Sequence, residues 1–500
     1  MISIINKNTM LKNKFLKITI AILLLSIKIF MMPAVAQKPS KKADKKIVYQ
    51  PDSASLSQHL LPQWYQNAKL GIFIHWGLYS VPAWAKGTKK SLATILKEGT
   101  GEEWFANNPY SEWYYNSLRI KGSSTEKHHI ETYGSNFTYF DFVPAFNEAI
   151  KQWKPDEMAQ LFKEVGAKYV VLTTKHHDGF LMWPGKTINP FIKNYQASRD
   201  ITGELTAAVR KQNMRMGLYY SSGLDWTFNA QTITDFPALF KAIPLQKEYA
   251  AYIDSHWHEL IEKYKPSVLW ADIGSPVAYN PIPMLADYYN AVPDGVVNNR
   301  HKLAVTATGF GTNIPHDITT PEYQVLDTIT QKKWETCRGI GLSFGYNQTE
   351  DINEFLSVND LIDGFVDIVS KNGNLLLNVG PKADGSIPEG QLLRLHGLGD
   401  WLKINGEAIY SSRTFTVASA KTATGGRVRF TKKGTVLYLF LLDEPESDNI
   451  TIKDFKIEKG KKIILLDGNM RVTFTPDGAD VKIKLPAKRK PSAAYVFKIM

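Results

Sequence analysis

Cysteine is almost missing: Cys337 is the only one in 500 residues, so no internal disulfide can form and the fold must rely on its core. That lone thiol reads as a small buried apolar residue, with a reactive thiol as the sharper alternative. Repeats of the solenoid kind are absent. The one marked apolar run near the start, Ile18–Ile27, is ended by Lys28 and is too short to span a bilayer. Acidic residues are missing from Met1–Ala36, which holds five lysines, and Lys38, Lys41, Lys42, Lys45 and Lys46 follow against Asp44 alone. The formal net charge of +12 therefore falls to +3 from Ile47 onward. Basicity confined to a leader and a tether is not a phosphate-binding face, which excludes nucleic acid as a partner.

What is present at the start reads as a secretory signal. Lys12, Lys14 and Lys17 precede the apolar run, and Ala34-Val35-Ala36 is a small-x-small cleavage site. The expectation is a signal peptide over 1–36, a basic linker over 37–50, and a periplasmic or secreted protein with no membrane span after processing. No cysteine follows the cleavage site, so the pattern is not that of a lipoprotein, and Met10 is a second candidate start. A composition of 44% hydrophobic and 22% charged residues is globular, and the length implies two domains. The oligomeric state is left open, a homo-oligomer included. Aromatics reach 12%, which suits the apolar faces of a pyranose as well as ordinary cores.

Short, nearly continuous apolar runs alternate with helical stretches from Leu70 to Tyr410. Leu70–His75, Tyr169–Thr174, Met216–Ser221, Val268–Asp272, Val296–Arg300 and Asn374–Val379 read as parallel strands buried on both faces. Tyr249, Ile253, Trp257, Leu260 and Tyr264 form a helical stripe ended by Pro266. Leu361, Phe365, Ile368 and Val369 form another, with Asn359 or Asp360 as its cap and Asn372-Gly373 as its stop. This alternation predicts a (β/α)8-like barrel over 51–411, with an open doubly wound sheet as the alternative. After Ser412 the pattern changes to strands (Val436–Leu442, Val472–Phe474, Val481–Leu485) and turns at Gly468 and Gly478. A C-terminal antiparallel β-sandwich over 412–500 is expected.

Polar groups gather where barrel strands end, the face on which barrels build active sites. His75, Lys175-His176-His177-Asp178, Tyr219, Asp272 and Arg300 each close a strand, a mixture of donors and acceptors suited to a polyhydroxylated ligand. His176 and His177 also raise a metal, but neighbours on a strand point to opposite faces, and a third ligand such as His75 or Asp272 would be needed. No metal and no cofactor are expected. Asp272 ends an apolar strand, where a carboxylate either caps the following turn or does chemistry. Glycoside hydrolysis needs a second carboxyl group; Glu112, Glu322 and Glu335 are the candidates, and spacing does not rank them.

Longer stretches are more specific. Lys69–Gly77 with Tyr79–Trp84, Glu112-Trp113-Tyr114, Ala167–Phe180, Leu269–Asp272, Gly339–Asn347 and Asn372–Pro381 occur in order between Trp64 and Tyr410. Together they resemble the α-L-fucosidases of glycoside hydrolase family 29, in their bacterial, broad-specificity form. The resemblance implies a retaining exo-α-L-fucosidase acting on a fucosylated glycan through a covalent intermediate, with Asp272 as nucleophile and Glu322 as acid/base. Matched position by position, it implies a fucose pocket of His75, Trp104, Tyr110, Glu112, Trp113, His176, His177, Tyr219, Trp270, Arg300 and Phe344. Trp270 and Phe344 suit the sugar's methyl group, and His75, Glu112, Trp113, His176 and His177 suit its hydroxyls. The sequence departs from the family pattern between Arg300 and Glu322, which is longer than expected, and in Asn298-Asn299-Arg300-His301, where Asn-Asp-Arg-Trp is usual. The rival readings are an exo-glycosidase for a galactose-type sugar and a fucose-binding protein without catalysis; retention of both carboxyl groups argues against the latter.

Overall fold

Strands rich in Val, Ile, Leu and Tyr, buried from end to end, are what a parallel sheet covered on both faces requires. The computed structural model describes residues 47–86, 92–99, 101–302, 304–305, 309–310 and 314–500; the expected leader and most of the basic linker lie outside them. The strands in chain order are β1 (Leu70–Ile74), β2 (Tyr169–Lys175), β3 (Arg215–Ser221), β4 (Val268–Asp272), β5 (Val296–Val297), β6 (Ala304–Val305), β7 (Gly309–Phe310), β8 (Trp334–Gly339) and β9 (Gly373–Val379). Seven of them form one parallel sheet in the order β5-β4-β3-β2-β1-β9-β8, while β6 and β7 pair only with each other. Gly71 on β1 faces Tyr169 on β2, and a Cβ there would come within 2.4 Å of the tyrosine ring, so glycine is required for this register.

The gap between β5 and β8 is filled by a segment too irregular to make a ladder. Ile318 bridges Asn298, Thr319 bridges Trp334 and Glu322 bridges Cys337, all in parallel sense. The barrel thus has eight positions, seven of them laddered strands and the sixth this segment, which carries Glu322. Pro321 within it has no N–H to give, which helps explain why pairing is sparse. At its start Asp317 is clamped: Oδ2 accepts from the Val297 N–H (2.8 Å) and the Tyr289 hydroxyl (2.9 Å), and Oδ1 lies 2.7 Å from His59 Nδ1. The circuit of parallel pairings, with β9 against β1, makes a (β/α)8-like barrel and excludes the doubly wound alternative.

The helix Lys247–Tyr264 buries the stripe Tyr249, Ile253, Trp257, Leu260 and Tyr264 against the sheet. The helix Val358–Ser370 is capped by Ser357, whose Oγ accepts from the Asp360 N–H at 3.0 Å, rather than by Asn359 or Asp360. Those two sit inside the first turn, where an acid is favoured by the helix dipole without being the cap. A long helix, Glu389–Ile409, leads out of the barrel.

Eight antiparallel strands follow: β10 (Arg413–Lys421), β11 (Arg427–Lys433), β12 (Val436–Leu441), β13 (Asn449–Ile452), β14 (Ile463–Leu465), β15 (Met470–Asp477), β16 (Asp480–Lys484) and β17 (Tyr495–Ile499), in the order β10-β11-β12-β17-β14-β15-β16-β13. They fold over into a sandwich whose inner face includes Phe430, Leu439, Ile452, Val481 and Phe497. Its outer face packs on the barrel through Tyr438, Phe440 and Val496, with Trp401 Nε1 donating to the Ala494 carbonyl at 3.1 Å. Among the described residues no helix is long and apolar enough to cross a membrane.

Candidate functional site

The thirteen residues that the resemblance implies as catalytic or sugar-binding all line one cavity of about 100 Å³ at the C-terminal ends of the barrel strands. His75, His176, His177, Tyr219, Trp270 and Asp272 come from the ends of β1, β2, β3 and β4. Arg300 follows β5, Glu322 lies on the sixth position and Phe344 follows β8. Trp104, Tyr110, Glu112 and Trp113 belong to the long connection between β1 and β2. The same cavity is lined by Phe73, Phe105, Phe236, Leu239, Ile273 and Cys337, which sequence reasoning missed because apolar residues look like core wherever they stand. Cys337 is 1% exposed and burial pushes its thiol well up, against the reactive alternative.

Asp272 Oδ2 accepts from the Tyr219 hydroxyl at 2.8 Å; Oδ1 accepts from Arg300 Nη1 at 2.7 Å and from the Ile273 N–H at 2.9 Å. Burial alone would raise this carboxyl, but the Arg300 charge, the neighbouring His177 and the bonds from Arg300 and Tyr219 outweigh it and hold Asp272 below the usual carboxylate range. The backbone beyond it is strained. Ile273, β-branched, sits at φ 59°, and Gly223 passes so close that a Cβ would lie 2.5 Å from the Ile273 carbonyl oxygen. Asp272 is therefore not a turn cap alone: three donors hold it, and it faces the cavity.

Glu322 Oε1 accepts from the Tyr110 hydroxyl at 3.1 Å, and Oε2 stands 3.6 Å from Arg300 Nη2. Here burial prevails over Arg300, with Asp272 adding to it, and the carboxyl is raised. One guanidinium thus spans both acids, its remaining bonds going to Thr320 Oγ1 (3.1 Å), the Thr320 carbonyl (2.9 Å) and Cys337 Sγ (3.8 Å), with its Cζ 4.5 Å from the centroid of the Trp270 ring. Glu112 accepts from the Gly345 N–H at 2.8 Å and is pushed up by burial to about 8. Glu335 does not line the cavity. It is wholly buried near the start of β8, bonded by the hydroxyls of Tyr65 (2.5 Å) and Tyr169 and by Trp270 Nε1 (3.0 Å).

His176 and His177 both reach the cavity, their ring centroids 3.9 Å apart, although adjacent strand residues were expected to point to opposite faces. The pairing of β2 with β3 shifts register between Thr173 and Lys175, where β2 ends, so the alternation has stopped before the histidines. His75 Nδ1 lies 2.7 Å from Asn378 Oδ1, and His177 Nδ1 lies 2.7 Å from Ser221 Oγ, while His176 Nδ1 is buried without a partner. Burial pushes His75 down to about 4 and His177 to about 3, and pushes His176 well down too. Among the described residues no group of His, Cys, Asp and Glu has the geometry of a metal centre. The arrangement offers an ionised carboxylate, a second carboxyl that holds its proton more tightly, and a wall of aromatic rings and neutral imidazoles.

Comparison with known proteins places this arrangement. The family model described as "Alpha-L-fucosidase" matches residues 34–407, and "Alpha-L-fucosidase C-terminal domain" matches 421–500. The tissue α-L-fucosidase of Mus musculus is 35% identical over 447 residues, 88% of this chain and 90% of its own. The Homo sapiens tissue enzyme is 34% identical over 440 residues, 86% of each chain. The Thermotoga maritima α-fucosidase in complex with a mechanism-based inhibitor superposes with a TM-score of 0.81 at 41% identity, over 90% of this chain and 99% of its own.

Proposed function

Because this chain belongs to the α-L-fucosidase family of glycoside hydrolases, we propose that it releases terminal α-L-fucose from fucosylated oligosaccharides or glycoconjugates with retention, through a covalent intermediate on Asp272. The observation that carries this reading is the pair of carboxyl groups held by one arginine and pushed in opposite directions, Asp272 down and Glu322 up. That division is what a nucleophile and a general acid need at one pH. Asp272 attacks the anomeric carbon while Glu322 gives its proton to the glycosidic oxygen; Glu322 then takes a proton from the water that releases fucose. The carboxylate of Asp272 also stabilises the positive charge that builds on the sugar before the bond forms. Trp270 and Phe344 receive the methyl group, while His75, Glu112, Trp113, His176 and His177 bind the hydroxyls, with Trp104 and Tyr110 closing the wall. That a relative 41% identical was captured with a mechanism-based inhibitor supports a covalent route. The lysine-rich start and Ala34-Val35-Ala36 support export to the periplasm or medium.

Replacing Asp272 by Gly tests the assignment. Turnover of an aryl α-L-fucoside should fall by several orders of magnitude with folding kept. Added azide should restore cleavage and give the β-fucosyl azide, since the anion enters from the side the carboxylate vacated. An α-azide from this variant would show that Asp272 is not the nucleophile.

A further inference from the structure

The bonds behind two of the three cavity histidines settle which ring nitrogen carries the proton. Asn378, on β9, has its side-chain amide 2.7 Å from the carbonyl oxygen of Phe344. A carbonyl only accepts, so the amide atom facing Phe344 is Nδ2 and the one facing His75 is Oδ1. Oδ1 also only accepts, and His75 Nδ1 lies 2.7 Å from it, so the His75 proton sits on Nδ1. Ser221, the last residue of β3, has one hydroxyl proton and gives it to the Leu224 carbonyl at 2.9 Å. Its 2.7 Å contact with His177 Nδ1 must then be one in which the ring donates. With His177 protonated on the other nitrogen, Nδ1 and the Leu224 oxygen would compete for a single proton, and either Nδ1 would go without or Leu224 would keep only the longer 3.4 Å bond from Lys175 Nζ. Ser221 is fully buried, away from bulk solvent.

We infer that Asn378 and Ser221 are positioning residues that lock His75 and His177 as Nδ1–H tautomers, so that both rings show the sugar an unprotonated Nε2. Burial, which keeps both rings from taking a second proton, works in the same direction. Recognition then has a polarity. Two hydroxyls of the ligand must donate to the wall, and their lone pairs remain free for N–H donors such as the Trp113 indole. A fluorine in place of such a hydroxyl sets lone pair against lone pair and is worse than a hydrogen; facing an N–H it would be the better substitute. The choice of fucose as probe rests on the proposed function, but the tautomers do not.

Long-range proton–nitrogen NMR of the enzyme labelled with ¹⁵N-histidine reads the tautomers directly, with His75→Gln and His177→Gln to assign the signals. Both rings should show the Nδ1–H pattern, and an Nε2–H pattern in either overturns the inference. Ser221→Ala and Asn378→Leu should move His177 and His75 respectively toward the other tautomer, while Asn378→Asp, which keeps an acceptor toward Nδ1, should hold His75 where it was. Inhibition by L-fucose and its deoxy and deoxyfluoro analogues at C2, C3 and C4 supplies the second arm. At two of these positions the fluoro analogue should bind about tenfold or more weaker than fucose and no tighter than the deoxy one. Fluoro analogues that outbind the deoxy ones at every position overturn the inference. Failure to cleave α-L-fucosides would overturn the functional reading and leave the spectra to speak for themselves.

Discussion

Replacing Arg300 by Met leaves two acids without their shared cation. The guanidinium is 2.7 Å from Asp272 and 3.6 Å from Glu322, with side chains only 20%, 11% and 22% exposed, so solvent takes over little of its work. Breaking a buried pair by removing one partner costs about 3–5 kcal/mol. The barrel domain has roughly 360 residues and an unfolding entropy near ~0.75 kcal/mol/K, so its melting temperature should fall by about 4–7 °C at pH 8. The sign with pH follows from the two folded states. In the natural protein Asp272 is held below its unfolded value, a contribution present above the unfolded range and lost as pH falls through the folded one. In the variant, burial is opposed only by the neutral donors Tyr219, Ile273 N–H and Tyr110, both carboxyls are raised relative to the natural protein, and protonation relieves them as pH drops. The deficit should therefore be full at pH 8 and shrink toward pH 5, as read by scanning calorimetry at the two values. A drop below about 1 °C at pH 8, or an equal drop at both, would refute the idea that Arg300 compensates these acids.

Three further outcomes are expected. Glu322→Ala should slow natural fucosides, whose leaving groups need a proton, by about 10²–10⁴-fold and aryl fucosides with acidic phenols far less; azide should then give the α-fucosyl azide, and equal losses on both substrates would reduce Glu322 to a binding residue. Exhaustive EDTA treatment should leave activity unchanged, and a loss restored by zinc would assign the histidines to a metal. Ser357→Ala should cost about 1 kcal/mol through the lost helix cap, measured by denaturant midpoint, with kcat unaffected.

Much of the barrel was legible because its strands carry an unmistakable signal. Leu70–Ile74, Tyr169–Lys175 and Gly373–Val379 are buried at every position, and such strands cannot avoid reading as apolar runs. The two positions missing from those apolar runs break that rule, although Glu335, between Trp334 and Thr336, reads as part of a strand. In β8 the sequence Trp-Glu-Thr-Cys-Arg-Gly looks half polar, because Glu335 is satisfied inside the barrel by two tyrosines and a tryptophan that lie up to 270 residues away in sequence. The segment Ile318–Glu322 contains a proline and pairs only at isolated points. The polar residues of the site stood out because a carboxylate or imidazole at the end of an apolar strand is costly without a reason. Its apolar lining did not, and Ser221 and Asn378 did not either, since what they do depends on partners no local pattern reveals.

The clamp on Asp317 has a consequence for how this catalytic face can vary. The chain leaves the barrel after Arg300 and rejoins it at Asp317, where Val297, Tyr289 and His59 fix its re-entry. From that fixed point only five residues run to Glu322. Insertions or deletions between the two anchors are thus insulated from the position of Glu322, as slack in a rope does not move a knot tied beyond the cleat. A change of loop length there leaves the distance from Glu322 to Asp272 set by the barrel.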